Sequence, residues 1–167
     1  DDPQIAYLSK FYKNKILYFG LSENFMKNDR IGLTADSSFC PNCQNRLKYQ
    51  KISFSHLGIW ECPKCKFQRP APDLSFPLPS TLKGEYNLYN ILAATIALNY
   101  LKIDNEKISV ALLNFEPAFG RQEKFIKSGK EYIFYLSKNP TSFNQSLETV
   151  LETKGEKIFF LLINDRI

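Results

Sequence analysis

Residues 39–67 read FCPNCQNRLKYQKISFSHLGIWECPKCKF and hold all four cysteines of the chain. The order is Cys40-x2-Cys43, an 18-residue interval, then Cys62-x2-Cys65. A CxxC turn aims two sulfurs at one point, and two such knuckles complete a tetrahedron, which is the zinc-ribbon arrangement. Pro41 and Pro63 follow the first cysteine of each pair and stiffen the two turns. Between the knuckles, RLKYQKISFS and GIWEC read as two short strands joined around His56-Leu57-Gly58. Four thiolates fill a zinc sphere and leave no open position, so the metal is expected to be structural. Two disulfides are the competing reading, and a redox CxxC a third. His56, the only histidine, is expected to sit exposed in the turn.

The charge of the chain points to the same segment. Residues 37–70 carry six basic side chains against Glu61 alone, whereas the rest of the chain balances sixteen basic against sixteen acidic. The net charge of +5 is therefore local, and four thiolates on one Zn²⁺ would lower it to about +3. That is a weak footprint for nucleic acid. Tyr49, Phe54, Trp60 and Phe67 could stack on bases or form the ribbon's own small core, and both readings stay open.

Outside the ribbon the pattern is mixed helix and strand. PQIAYLSKFY (3–12) starts a helix behind Asp2, and KILYFGL (15–21) reads as a short buried strand. Residues 70–84 contain prolines at 70, 72, 77 and 79 and form an extended linker. Residues 84–103 carry a broad apolar stripe of helical period, and 104–115 a second helix capped by Asp104. EPAFGRQEKF (116–125) turns into a strand, 131–137 is a strand, 139–152 a helix and 157–163 another strand. This order suits the start of a parallel α/β sheet.

Several chemistries are absent from the sequence. It contains no GxxxxGK[ST] phosphate loop, since Gly129-Lys130 is followed by Glu131. The lone histidine lies in the ribbon, which removes any Ser/His/Asp arrangement. With the cysteines committed to metal, no thiol nucleophile remains. No apolar run reaches 18 residues. The chain begins Asp1-Asp2-Pro3 without an initiator methionine or a signal peptide, and an interior piece of a longer, cytoplasmic protein is expected.

Three stretches in this order resemble the Mur ligase family. GEYNLYNILAA (84–94) is similar to the family's G-x-H-N-x-x-N-x-x-A-A segment, and FGRQE (119–123) to its G-R-x-E segment at the junction of middle and C-terminal domains. LSKNPTSFNQSL (136–147) stands where the family has its first C-terminal strand-to-helix loop, and the opening Asp-Asp-Pro also resembles a family motif. One branch of the family carries a four-cysteine ribbon in its middle domain. To that branch are similar Tyr86-Asn87-Leu88-Tyr89-Asn90, Pro117-Ala118-Phe119-Gly120-Arg121 with Glu123, and Lys138-Asn139-Pro140 with Phe143-Asn144. The resemblance runs across essentially the whole chain.

The resemblance implies an α/β chain in two parts. Residues 1–117 would be part of the ATP-binding middle domain, with the zinc ribbon at 37–70 inserted. Residues 118–167 would begin a Rossmann-like C-terminal domain. It implies ATP-driven amidation of the D-glutamate α-carboxyl of lipid II to D-isoglutamine in peptidoglycan synthesis, with ammonia from a separate GatD-like glutaminase subunit in a heterodimer. Structural Zn²⁺ on Cys40, Cys43, Cys62 and Cys65 would be joined by ATP and Mg²⁺ in the full-length protein. Asn90 would read the adenine with support from Asn87, Arg121 would meet phosphate or ribose, and Lys138 would approach the phosphates. The phosphate-loop Lys and Thr and the Mg²⁺-binding acid are expected before Asp1, so these 167 residues alone would be inactive. Two departures stand out. Tyr86 replaces a frequent His, and Leu136 replaces an Asp that contacts ribose in relatives. The alternatives are a zinc-ribbon nucleic-acid-binding module, disfavoured by the neutral flanks, and a Mur-type ligase that joins an amino acid.

Overall fold

A computed structural model describes residues 1–26, 37–116 and 121–163. Pro117 to Gly120 of the PAFGR motif, and the side chain of Arg121, lie outside the described residues. Helix α1 (Pro3–Leu8) begins where the sequence predicts, with the Asp2 carboxylate accepting the Gln4 and Ile5 amides and Pro3 in the first turn. It runs into a 3-10 turn at Ser9–Phe11.

The ribbon hairpin consists of β1 (Lys48–Ile52) and β2 (Gly58–Glu61), antiparallel, with Lys48 opposite Glu61 and Ile52 opposite Gly58. A bulge between Tyr49 and Lys51 interrupts the register. Gly58 is required by space, because a Cβ there would collide with the Lys51 carbonyl and stand 2.9 Å from the Ile52 Cα. Helix α2 (Glu85–Tyr100) and helix α3 (Asn105–Leu113) pack on each other. A second antiparallel hairpin, β3 (Arg121–Lys127) and β4 (Lys130–Tyr135), precedes helix α4 (Pro140–Glu152).

Two apolar clusters lie among the described residues up to Leu92. Ala6, Leu47, Trp60, Cys40 and Cys62 form one, with Tyr49 and Phe67 packed against it. Leu21, Met26 and Leu92 form the other, flanked by Phe19, Ile59, Leu74, Leu88 and Tyr89. Trp60 is 2% exposed, so it belongs to the ribbon's own core rather than to a stacking platform.

Four expectations are corrected. Residues 15–21 do not form a strand; a single parallel bridge joins Phe19 to Leu74. Their neighbour is the linker, whose prolines lack the N–H groups a ladder needs. Residues 157–163 pair with no strand among the described residues, and Ile158 through Ile163 are exposed. Strand-like composition cannot make a strand without a neighbour to accept its hydrogen bonds. Both described sheets are antiparallel hairpins, so parallel pairing beyond the one bridge is absent among the described residues. His56 is buried rather than exposed, because its Nε2 lies 3.3 Å from the Asp2 carboxylate at the start of α1.

Candidate metal centre and nucleotide-side site

The four cysteines converge. Their sulfurs all lie within 4.8 Å of one another, with Cys40–Cys65 at 3.6 Å and Cys43–Cys62 at 3.5 Å. Disulfide sulfurs sit about 2.05 Å apart, and all four cysteines are free. A tetrahedral zinc with bonds of about 2.3 Å spaces its sulfurs about 3.8 Å apart. The cluster therefore fits a four-thiolate metal site and does not fit two disulfides. Burial pushes the Cys40 thiol up to about 12, whereas a hydrogen bond with the Asn42 side chain and one with the Phe67 backbone bring Cys65 down to about 6. Metal binding would displace the remaining thiol protons.

The two knuckles are built alike. The Gln44 amide donates to the Cys40 carbonyl at 2.8 Å, and the Lys66 amide to the Cys62 carbonyl at 3.0 Å. Gln44 and Lys66 both take positive φ, the left-handed turn that brings the second cysteine of each pair inward.

Behind the ribbon lies a buried polar centre that the sequence did not reveal. The Asp1 carboxylate, 1% exposed, accepts Arg69 Nε at 2.5 Å, Tyr89 Oη at 2.6 Å and the Leu21 amide at 2.9 Å. The Asp1 carbonyl accepts Trp60 Nε1 at 2.8 Å, and Arg69 Nη2 also donates to the Leu21 carbonyl at 2.8 Å. Gly20 makes room, since a Cβ there would collide with this carboxylate. Burial raises the Tyr89 hydroxyl, so it stays a donor to Asp1. Burial would raise the Asp2 carboxyl, but hydrogen bonds from His56 and from the Gln4 and Ile5 amides outweigh it and hold it below its usual value. The only sequence signal was Asp-Asp-Pro itself. Nothing in one dimension pairs Asp1 with Arg69.

The nucleotide-side candidates gather partly. Asn87, buried, donates to the Lys83 carbonyl at 2.6 Å and accepts Asn90 Nδ2 at 3.1 Å. Its amide is thus engaged at the start of α2, whereas Asn90 is exposed. Gln122, next to Arg121 and 7% exposed, donates to the Lys83 carbonyl and to Tyr86 Oη, both at 2.6 Å, and accepts the Lys83 amide at 3.2 Å. Gln122 therefore joins the FGRQE stretch to the GEYNLYN stretch, a link that no spacing in one dimension marks. Lys138 is exposed in the loop before α4, where Asn139 and Ser142 form a capping box and the Lys138 amide donates to Ser142 Oγ at 3.0 Å.

Between the start of α2 and α4 lies an open cleft of about 380 Å³, lined by Gly84, Glu85, Gln145, Glu148, Thr149 and Glu152. Its three carboxylates make the cleft acidic. Glu148 and Glu152, four apart on α4, were the available sequence signal.

No protein-family model matches the chain. Its sequence is 29% identical to subunit MurT of lipid II isoglutaminyl synthase (glutamine-hydrolyzing) from Staphylococcus aureus strain COL, over 99% of this chain and 41% of that protein. The Streptococcus pneumoniae R6 MurT subunit is 30% identical over 84% of this chain and 36% of that protein. Ligases named for UDP-N-acetylmuramoyl substrates also match, at 26% identity. The structure is similar to a pseudomurein peptide ligase type C from Methanothermus fervidus, with a TM-score of 0.70 and 30% identity over 89% of this chain and 33% of that one. The chain thus spans about two fifths of the length of the S. aureus relative. With motif order, ribbon and three-dimensional likeness in agreement, the chain belongs to the Mur ligase family and is MurT-like within it.

Proposed function

We propose that the protein to which this chain belongs is the ATP-dependent subunit of a lipid II isoglutaminyl synthase. On this reading it amidates the D-glutamate α-carboxyl of lipid II with ammonia supplied by a glutaminase subunit. The observation that carries the reading is the near-full-length similarity to two MurT subunits together with a four-cysteine cluster of metal-binding geometry. The printed name of those relatives includes glutamine hydrolysis and calls each a subunit, which supports a partner chain.

The chemistry suits such a protein. A carboxylate is a poor acylating group; ATP supplies the phosphoryl group that activates it, and ammonia then displaces phosphate. The rate of such a reaction rests on positioning and charge neutralisation. In this chain Asn90 offers an amide donor and acceptor for the adenine edge, held in place by Asn87. Arg121 follows in sequence from the hinge, and Lys138 stands exposed ahead of α4 for a phosphate. The residues present thus fit the adenine side and part of the phosphate side of a nucleotide site. These 167 residues contain no GxxxxGK[ST] phosphate loop. Residues 1–117 and 118–167 are assigned to the middle and C-terminal domains, and the reaction to the cytoplasm.

The test is a reaction of the full-length protein with ATP, glutamine, its co-purifying subunit and lipid II, read by mass spectrometry of the stem peptide. Conversion of carboxylate to amide is expected. A mass gain equal to an amino-acid residue would instead assign an amino-acid-adding ligase, the class of its 26%-identical relatives. Asn90→Ala should raise KM for ATP about tenfold with the fold intact, as befits loss of a hydrogen-bond pair to the adenine. An unchanged KM removes Asn90 from the site.

A further inference from the structure

The ligand end of the ribbon carries an uncommitted basic surface. Arg46, Lys64 and Lys66 are exposed around the two knuckles, and Arg46 bridges to Phe39, itself 57% exposed. Lys10 reaches onto the same end from the 3-10 turn after α1: its Nζ is 3.5 Å from Asn42 Oδ1 and 4.1 Å from the centre of the Phe67 ring. Beside it Phe11 is 68% exposed, its ring edge-on to Tyr7 at 5.4 Å. Of the three remaining ribbon cations, Lys48 and Lys51 lie on β1 and Arg69 is taken up by Asp1.

We propose that this end of the ribbon docks the protein on an anionic phospholipid surface. The inference rests on the reading that the substrate is lipid-linked. Three observations favour a bilayer over other anionic partners. Lys10, Arg46, Lys64 and Lys66 stand together at this end and outnumber the two negative charges that four thiolates on one Zn²⁺ would add, so the attraction is directional. The two exposed aromatic rings stand among the cations, the pairing that settles at a headgroup boundary. The rings a nucleic acid would stack on are withdrawn: Trp60 is buried, and Phe67 is covered by Lys10, Tyr7 and Trp60. No helix among the described residues is long and apolar enough to cross a membrane, so the contact is peripheral and salt-sensitive.

The test uses the full-length protein with any subunit that co-purifies. Cosedimentation is measured with vesicles of phosphatidylglycerol and phosphatidylcholine, and with phosphatidylcholine alone, at low and high salt. Partitioning onto the anionic vesicles only, weakened by salt, is expected. Each basic side chain near such a surface contributes about fivefold in partitioning, so Arg46→Glu/Lys64→Glu/Lys66→Glu should lose at least about a hundredfold. The matching glutamine triple, with milder effect on the knuckles, should fall in between while keeping about one zinc per chain. KM for lipid-linked substrate in vesicles should rise in the variant, with activity on a water-soluble substrate lacking the polyprenyl tail unchanged. Equal partitioning onto neutral vesicles, an unaffected variant, or tighter binding to single-stranded RNA than to vesicles would each overturn the docking surface. Inactivity of the wild type on both substrates would instead remove the reading of function on which the docking rests.

Discussion

Two ion pairs set the ribbon half of the molecule apart from the C-terminal hairpin. Arg69–Asp1 is buried, with side-chain exposures of 11% and 1%, and joins segments 68 positions apart. Lys124–Glu131 spans one hairpin at 3.3 Å and is more than half exposed at both ends. The first pair has left water, and its carboxylate survives there only because Tyr89 and the Leu21 amide share it. The second has kept its solvation and gains little from contact. The ribbon half is thus held by directional, desolvated bonds beside a four-cysteine cluster of metal-binding geometry, while the hairpin is held by its backbone ladder and by stacked Phe125, Tyr132 and Phe134.

The comparison can be broken most forcefully at the metal. Chelation of zinc under reducing conditions, or Cys62→Ser, should strip protection from the amides of residues 39–69 in hydrogen exchange while those of β3 and β4 keep theirs. Structural zinc is worth about 10–16 kcal/mol in small zinc-binding peptides, more than most domains have to lose. Unchanged protection after metal removal would show that the cysteine cluster is held by packing alone. Next in size is Arg69→Ala, which strands a buried carboxylate and should cost about 3–5 kcal/mol by chemical denaturation of the full-length protein. A cost below about 1 kcal/mol would mean that Asp1 is solvated after all.

A smaller effect is expected at Gln122→Ala. It leaves the Lys83 carbonyl with one donor fewer and frees β3 from the start of α2, at about 1–3 kcal/mol. If the tie positions Arg121, KM for ATP should rise with it, and Gln122→Glu should not restore it, because the Lys83 carbonyl needs a donor. Smallest is Lys124→Ala, expected within about 0.5 kcal/mol of the parent; a loss above about 2 kcal/mol would put the hairpin's ion pair in the same class as the buried one.

What could be read in the sequence divides along the same line. The ribbon was legible because its information is local: two CxxC turns and the 18-residue interval between them determine where four sulfurs go. Helices α2, α3 and α4 were legible as elements, and Asp104 does stand at the N-cap of α3, although its side chain makes no capping hydrogen bond there. Asp1 with Arg69, His56 with Asp2, and Gln122 with Lys83 were not, because each pair is made by folding and leaves no spacing to recognise. Residues 15–21 and 157–163 failed for the complementary reason. Their composition favours a strand, but a strand is a property of two segments, and the composition of one says nothing of the other.

The Asp1 centre also constrains the order in which the molecule can assemble. Its partners lie 20, 59, 68 and 88 positions downstream, at Leu21, Trp60, Arg69 and Tyr89. On a ribosome that makes the chain from its N-terminal side, Asp1 must wait for the ribbon to close and for α2 to emerge before its last hydrogen bond can form. A contact of such long range repays its loop-closure entropy only at the end. The carboxylate at the head of this stretch is therefore a late seal, set when the ribbon and the helix behind it already stand in place.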